Sequence, residues 1–479
     1  MTGRARQTRT ITTSAGVTTV TIDRAAWVAL YVAALTSLLV GLNMTVMNVV
    51  LPSIEQSFGG ASRRTLGWGI SGYSITIAAL MLIGGRLADR RGRLLVFRCG
   101  LVVFALGSAM TAAAPGAAWF LAGRLVQAAG TSLLAPASLS MVLPLFPVER
   151  KATAISISAA IGYIGSGLAP GLSAGVVDRF GWRLIFASFA ITTVGVTAVA
   201  PRFLPADRPA GAADRVDPFG APAGAFGLGL AALAVIEGPR LGWSNGVIPA
   251  AAIMAALFLG LFVRRSLHHP EPLVDLRMLR PRAVWSTIGA NVLMSAAGTA
   301  VWVVYALFLV QRWRWPLPRV GAALMPIPIS AGVAALAANW VVRRIGATRV
   351  VLVGSFFPAA GLVLLLWRLT DEPHYFTGLL PGALLFNVGF GMVFAPLNAV
   401  TLTSVPEVRL SQANAVVNTV RQLGSGLAVA VVIALLGDAR VIAATQFREA
   451  LVFLTVLSGA LIVVTVGLVP RDRLHALRR

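Results

Sequence analysis

Two arginines sit far from the ends of long apolar stretches: Arg124, with Gln127 one helical turn later, and Arg421, with Asn418 and Gln422 beside it. An arginine near the centre of a membrane helix costs about 2.5–3.5 kcal/mol on insertion scales and usually faces a polar cavity, where it can hold an anion or a dipole. Snorkelling to an interface is the alternative. A third cluster, Gly85-x3-Asp89-Arg90-x-Gly92-Arg93, sets one carboxylate among arginines at the end of an apolar stretch. Such a carboxylate is favoured at a helix N-terminus and can pair with the arginines, which would clamp a mouth; a plain basic loop would not require the acid. Gly167, Gly171 and Gly175 recur every four residues beside Pro170, so they share a helix face and allow close backbone approach or a bend; span packing accounts for the glycines equally well.

The same inventory excludes other chemistry. His268, His269, His374 and His475 all fall between or beyond the apolar stretches, so no Ser/His/Asp arrangement or metal-ligand spacing forms, and we expect no catalytic residues, no metal and no cofactor. The sole lysine is Lys151, which rules out a Gly-Lys-Ser phosphate loop and leaves a gradient as the source of energy. A single cysteine, Cys99, excludes an intrachain disulfide.

These residues are carried by an unusually apolar chain. Of 479 residues, 57% are hydrophobic and 12% charged, about half the charged share of a soluble domain. The net charge of +23 does not point to nucleic acid, because the basic residues lie between apolar runs rather than in a patch. A membrane helix needs roughly 20 apolar residues. Fourteen stretches qualify, from 27–52 to 448–469, and only those holding Arg124 and Arg421 carry a charge well inside. With an even number of spans both termini share a side, and about 26 basic residues fall on that side against about 11 opposite, which predicts cytoplasmic termini.

The organisation that follows is a cytoplasmic tail (1–26), a six-helix bundle (27–204), a linker with two inserted spans (205–284), a second six-helix bundle (285–469) and a cytoplasmic tail (470–479). Gly85-Arg-Leu-Ala-Asp-Arg-Arg-Gly92 follows the second span of the first bundle, and Asn339-Trp-Val-Val-Arg-Arg-Ile-Gly346 follows the second span of the later one. This faint echo is what a two-bundle transporter with internal repeats shows.

The motifs resemble the major facilitator superfamily, specifically its fourteen-span drug:proton antiporter branch. Span 1 ends Leu42-Asn-Met-Thr-Val-Met-Asn-Val-Val-Leu-Pro52, and the Gly85–Arg93 motif is similar to the superfamily's loop 2–3 signature. Span 4 has Arg124-x2-Gln127-x2-Gly130, span 5 has Gly167-Leu-Ala-Pro170-Gly171, and span 13 reads Asn414-x3-Asn418-Thr-x-Arg421-Gln422-x-Gly424-x-Gly426. The resemblance implies an all-α integral membrane fold of two six-helix bundles plus two inserted spans. It implies a cytoplasmic gate at Gly85, Asp89, Arg90, Gly92 and Arg93, and a hinge at Gly167, Pro170, Gly171 and Gly175. It further implies a substrate cavity lined by spans 1, 2, 4, 5, 9, 10, 12 and 13, with Asn43, Tyr73, Arg124, Gln127, Asn291, Tyr305, Gln311, Asn387, Asn398, Asn418 and Arg421 as candidates. The expected protein is a plasma-membrane monomer whose partners are a small-molecule substrate, the lipid bilayer and, for an antiporter, protons.

One departure stands out. Where the branch has a span-1 aspartate, this chain has Asn43, and an amide does not titrate. None of the 17 acids falls in the middle of a span; Glu55, Asp89, Asp178 and Glu237 lie at mouths or ends. Proton coupling therefore runs through a mouth acid such as Glu55 or Asp89, or is absent. A cavity with two arginines and no acid favours neutral or anionic substrates over lipophilic cations. Export of an amphiphilic drug, antibiotic or metabolite is the leading reading; a uniporter or uptake carrier of the same fold, or a non-transporting sensor or assembly partner, are the alternatives.

Overall fold

The computed structural model describes residues 6–13, 16–59, 63–204, 219–269, 274, 282–403, 410–436 and 443–467. Apolar composition over 20 or more residues, with the backbone polar groups bonded within each segment, makes long helices the only economical element in lipid. The first bundle comprises α1 (Arg24–Ser57), α2 (Arg63–Arg91), α3 (Arg93–Ala112), α4 (Ala117–Val142), α5 (Val148–Phe180) and α6 (Trp182–Phe203). The inserted pair is α7 (Gly220–Leu241) and α8 (Val247–His268). The second bundle comprises α9 (Arg282–Gln311), α10 (Leu317–Leu324) with α11 (Pro326–Ile345), α12 (Ala347–Arg368), α13 (Leu380–Thr403), α14 (Leu410–Leu436) and α15 (Ala444–Val466). Span 10 is thus α10 and α11 together, and spans 11 to 14 are α12 to α15.

Thirteen of these segments are long and apolar enough to cross a membrane, while α5 contributes a shorter apolar stretch, Thr153–Gly162, among its described residues. The fourteen expected spans therefore all exist as helices. The first bundle's core is built from Phe97, Phe104, Phe120, Trp182 and Phe186, the second's from Tyr305, Phe308, Phe386 and Phe447. Phe120, Trp182 and Phe186 meet edge to face at 5.8–6.2 Å. The inserted α7 packs against α8, α2 and α14, and so touches both bundles.

Within the expected N-terminal tail the backbone forms a hairpin. Arg6–Thr13 (β1) and Gly16–Asp23 (β2) pair antiparallel, Arg6 opposite Asp23 and Thr13 opposite Gly16. The cause is local: the segment is rich in Thr, Val and Ile, whose branched side chains suit a pleated strand. The C-terminal tail 470–479 and most of the two linkers lie outside the described residues.

Sharp reversals join several helices. Gly92 (φ 98°), Gly181 (φ 78°) and Gly346 (φ 85°) all take left-handed backbone, a conformation that other L-residues adopt at a cost. Gly92 and Gly346 end the two echoing motifs at the same structural point, so the repeat is physical: each closes the second span of its bundle.

Candidate transport cavity and gate

Arg124 is 1% exposed and lies within the first bundle. Its Nε donates to the Gly69 carbonyl at 3.0 Å, and its Nη1 donates to Asn43 Oδ1 at 2.8 Å and to Gln127 Oε1. The guanidinium lies 4.3 Å from the Tyr73 ring centroid. Gln127 passes the network on, donating from Nε2 to Ser108 Oγ at 2.7 Å, and the Tyr73 hydroxyl meets Thr131 Oγ1 at 2.8 Å. These three acceptors around the cation are neutral. Asn43 thus serves as a dipole that satisfies Arg124 without titrating, where a carboxylate would make an ion pair.

A second polar cluster surrounds Arg421. Its Nε donates to Ser295 Oγ at 2.9 Å and its Nη1 to Asn418 Oδ1 at 3.3 Å, with the Phe394 ring 4.3 Å away. Asn418 Nδ2 donates to the carbonyl and the side-chain oxygen of Asn414 at 2.8 and 2.9 Å. Unlike Arg124, this arginine opens onto space: a cavity of about 290 Å³ between the bundles is lined by residues of α1, α4, α5, α13 and α14, among them Ser37, Ser138, Ser158, Asn398, Asn418 and Arg421. Among the described lining residues Arg421 alone is charged.

The eleven candidate cavity residues therefore divide. Asn398, Asn418 and Arg421 line the cavity. Asn43, Tyr73, Arg124 and Gln127 form the separate buried network; Leu134, the lining residue of α4 closest in sequence, lies ten residues from Arg124, ~15 Å along the helix axis. Asn291 and Asn387 donate to their own helices, to Thr287 and Ala383 carbonyls at 2.9 and 3.1 Å. Tyr305 is fully buried in the second core, and its hydroxyl has no hydrogen-bond partner among the described residues. Gln311 is half-buried at the end of α9. Thr36, Ser37 and Ser158, which the sequence did not single out, are lining residues; the Ser37 and Ser158 hydroxyls are 3.4 Å apart.

Spans 2, 9 and 10 were expected to line this cavity; among the described residues they contribute none of its lining. Spans 2 and 10 seal its seams instead. A Cβ on Gly85 of α2 would lie 2.6 Å from Ala415 Cβ and 2.8 Å from the Ser411 carbonyl oxygen of α14, so these helices touch backbone to backbone. A Cβ on Gly167 of α5 would lie 2.7 Å from Pro328 of α11. Span 9 stands behind α14 and supports Arg421 through Ser295.

The α2–α14 seam ends in a latch. Asp89, 8% exposed, accepts the backbone N–H of Ser411 at 3.2 Å and of Gln412 at 2.9 Å, the first turn of α14. A carboxylate here meets both unsatisfied amides and the positive end of the helix dipole. Arg93 donates from Nε and Nη2 to Asp89 Oδ1 at 3.4 Å and from Nη1 to the Ser140 carbonyl at 2.9 Å. The Ser140 and Ser411 hydroxyls complete the join at 2.6 Å, and Asn414 Nδ2 donates to the Ala135 carbonyl at 3.1 Å. Gly92 supplies the reversal that returns Arg93 beneath Asp89, and Arg90 is half-buried beside them. In the echoing motif Asn339 stands where the first has Gly85, and Thr153 of α5 donates its hydroxyl to Asn339 Oδ1 at 3.0 Å, a neutral contact across the α5–α11 seam; the position that echoes Asp89 is Arg343.

Of the expected hinge, Gly167 makes a close interhelical approach, whereas Gly175 is exposed with open space beside it. The four-residue spacing puts glycines on one face but does not set how far the neighbouring helix follows that face. Pro170 and Gly171 lie within α5, and their surroundings fall outside the described residues. At the opposite mouth Arg312 donates from Nε to Asp371 Oδ1 at 2.7 Å, and this hydrogen bond holds the guanidinium above the ordinary arginine range.

Two bundles, a latch across one seam and a polar cavity between them describe an alternating-access carrier. A family model for the Major Facilitator Superfamily matches residues 33–429. The chain belongs to this superfamily. It is a multi-pass membrane transporter for small molecules. It is similar to the cephamycin export protein CmcT of Amycolatopsis lactamdurans, 30% identical over 447 residues that cover 91% of this chain and 87% of the relative. It is also similar to the multidrug resistance protein Stp of Mycobacterium tuberculosis, 30% identical with 81% and 72% covered, and to the puromycin resistance protein pur8 of Streptomyces alboniger, 30% identical with 85% and 81% covered. The fold resembles that of the proton:xylose symporter XylE bound to 6-bromo-6-deoxy-D-glucose, with a TM-score of 0.67, 15% identity and 93% and 96% of the two chains covered.

Proposed function

We propose that this transporter exports small amphiphilic compounds, neutral or anionic, from the cytoplasm across the plasma membrane as a monomer. The observation that carries the reading is Arg421, a cation set in a cavity whose described lining holds no acid. An opposite charge 4 Å away gains about 4 kcal/mol at an effective dielectric of 20, before desolvation, and a like charge loses as much. The excess of basic residues on the side of the termini supports cytoplasmic termini, and therefore a latch at the cytoplasmic mouth. Similarity to a cephamycin export protein and to a puromycin resistance protein supports export and an antibiotic-like substrate.

Arg421→Gln tests the selectivity. In proteoliposomes the wild type is expected to move sulforhodamine B, an anionic dye, at least tenfold faster than ethidium, and the variant to lose most of that preference while keeping the fold. Faster ethidium flux in the wild type would overturn the reading.

A further inference from the structure

The Arg124 network balances hydrogen bonds but not charge. Gly69, Asn43 and Gln127 meet the guanidinium with carbonyl dipoles, and Arg124 is 1% exposed. A buried ion without an opposite charge is expensive, because the water it gave up is not replaced by anything of equal strength. No acid is in position to serve. The helices α3, α4 and α6 contain no Asp or Glu, nor does α14, which also packs on α4. The one acid of α1 is Glu55, twelve residues beyond Asn43, ~18 Å along the axis. The one acid of α2 is Asp89, sixteen residues beyond Tyr73, ~24 Å away and engaged in the latch. Glu149 and Asp178 stand at the two ends of α5. Glu237 of α7 is buried and already partnered, with Arg240 three residues on, and α7 packs chiefly on α8, α2 and α14. Every other charged residue on α1, α2, α3, α4, α6 and α14 is an arginine. Among the described residues, Tyr73 is the one titratable group that acts on Arg124 through its charge.

The network also holds donors in excess. The bond from Arg124 fixes which end of the Asn43 amide is oxygen, so the other end is Nδ2. That buried N–H group makes no hydrogen bond of normal geometry among the described residues, although the Tyr73 hydroxyl is its neighbour. The described bonds of Arg124 use Nε and Nη1, and none uses Nη2. A guanidinium nitrogen and an amide N–H on two bonded side chains, enclosed by protein, suit an acceptor that is negative and small. Gly41 of α1 lines the substrate cavity two residues from Asn43, ~3 Å along the axis, so an ion has a short way in.

We propose that Arg124 and Asn43 bind one small monovalent anion, of the size of chloride, as the countercharge of the first bundle. A divalent anion would leave a net negative charge in the site, and a bulky one such as gluconate does not suit an enclosed one. The site is separate from the substrate cavity, whose lining holds Arg421 but neither Arg124 nor Asn43, and it stands whether or not the transport reading above does.

The test is the thermal unfolding midpoint of the purified protein in detergent, without dye, as gluconate is exchanged for chloride at constant ionic strength. A ligand that binds the folded state raises the midpoint, and the wild type is expected to gain about 2–4 °C with a saturable dependence on chloride. Asn43→Asp puts the countercharge on the protein and is expected to lose the response, whereas Arg421→Gln is expected to keep it. A wild type indifferent to chloride overturns the proposal, as does a response in Asn43→Asp equal to that of the wild type. Loss of the response in Arg421→Gln overturns it too, by moving the anion to the substrate cavity. Should Asn43→Asp fail to fold, binding of radiolabelled chloride decides: saturable binding to the wild type that survives Arg421→Gln is expected, and its absence from either protein overturns the assignment.

Discussion

Asp89→Asn separates a latch from a merely basic loop. The wild-type carboxylate takes two backbone amides of α14 and lies within 3.4 Å of Arg93. An asparagine keeps one acceptor oxygen, so one amide bond is lost, the other becomes neutral, and an NH2 group faces donors. Hydrogen bonds to charged groups are worth about 1.5–3 kcal/mol, so the closed mouth loses about 2 kcal/mol relative to the open one. That raises the open fraction about thirtyfold, at 1.4 kcal/mol per factor of ten. Ser138 reports it: it lines the cavity on α4, two residues from the Ser140 contact, and its hydroxyl bonds only within its own helix at Ala135. A Ser138→Cys protein that also carries Cys99→Ser, so that the sole native thiol is gone, is treated with a membrane-impermeant thiol reagent from the Asp89 side. The modification rate is expected to rise about thirtyfold on adding Asp89→Asn, with membrane insertion unchanged and transport reduced. A rate within twofold of the parent would refute the latch.

Gly85→Ala should act in the same direction, since its Cβ would overlap Ala415 and the Ser411 carbonyl and overpacking costs about 1–3 kcal/mol; thiol access at position 138 checks it. Arg124→Lys should lower the thermal unfolding midpoint in detergent, because an ammonium cannot reproduce the forked bonds to Gly69, Asn43 and Gln127, and each buried acceptor left unmet costs about 1–3 kcal/mol. An unchanged midpoint would mean that this network is not structural. Arg312→Gln should change the midpoint little, since the pair with Asp371 lies at the surface with the carboxylate more than half exposed, and surface pairs contribute about 0–1 kcal/mol. The raised Arg312 value gives that pair a benefit fully present below the ordinary arginine range and lost only as pH rises through the raised value, so unfolding between pH 5 and 9 should not register it.

The helices were legible because apolar length is a direct physical requirement of the bilayer; in the mouth cluster the Asp89–Arg93 pair was legible from its spacing, but the bonds of Asp89 to the α14 amides were not. Facing was not legible from residue type. Asn291 and Asn387 are satisfied by carbonyls four residues back on their own helices, so an intramembrane amide need not seek a cavity. Ser37 and Ser158 reach the cavity yet carry little polarity in a hydropathy reading, because a hydroxyl can return its proton to the preceding turn, as Ser37 does toward Ala33. Glu237 was placed at a mouth because a charge ends an uncharged stretch. The helix runs on to Leu241 and buries it. The terminal hairpin was hidden by its arginines, which read as a tail although the Thr and Val between them favour strands.

The most direct measurement is counterflow in proteoliposomes: a lumen loaded with unlabelled sulforhodamine B, and uptake of the isotopically labelled dye followed from a dilute external pool. Alternating access through the Arg421 cavity predicts a saturable, transient overshoot of labelled dye that Arg421→Gln weakens. Uptake indistinguishable from protein-free liposomes, for this dye and for a neutral and a cationic one, would contradict it.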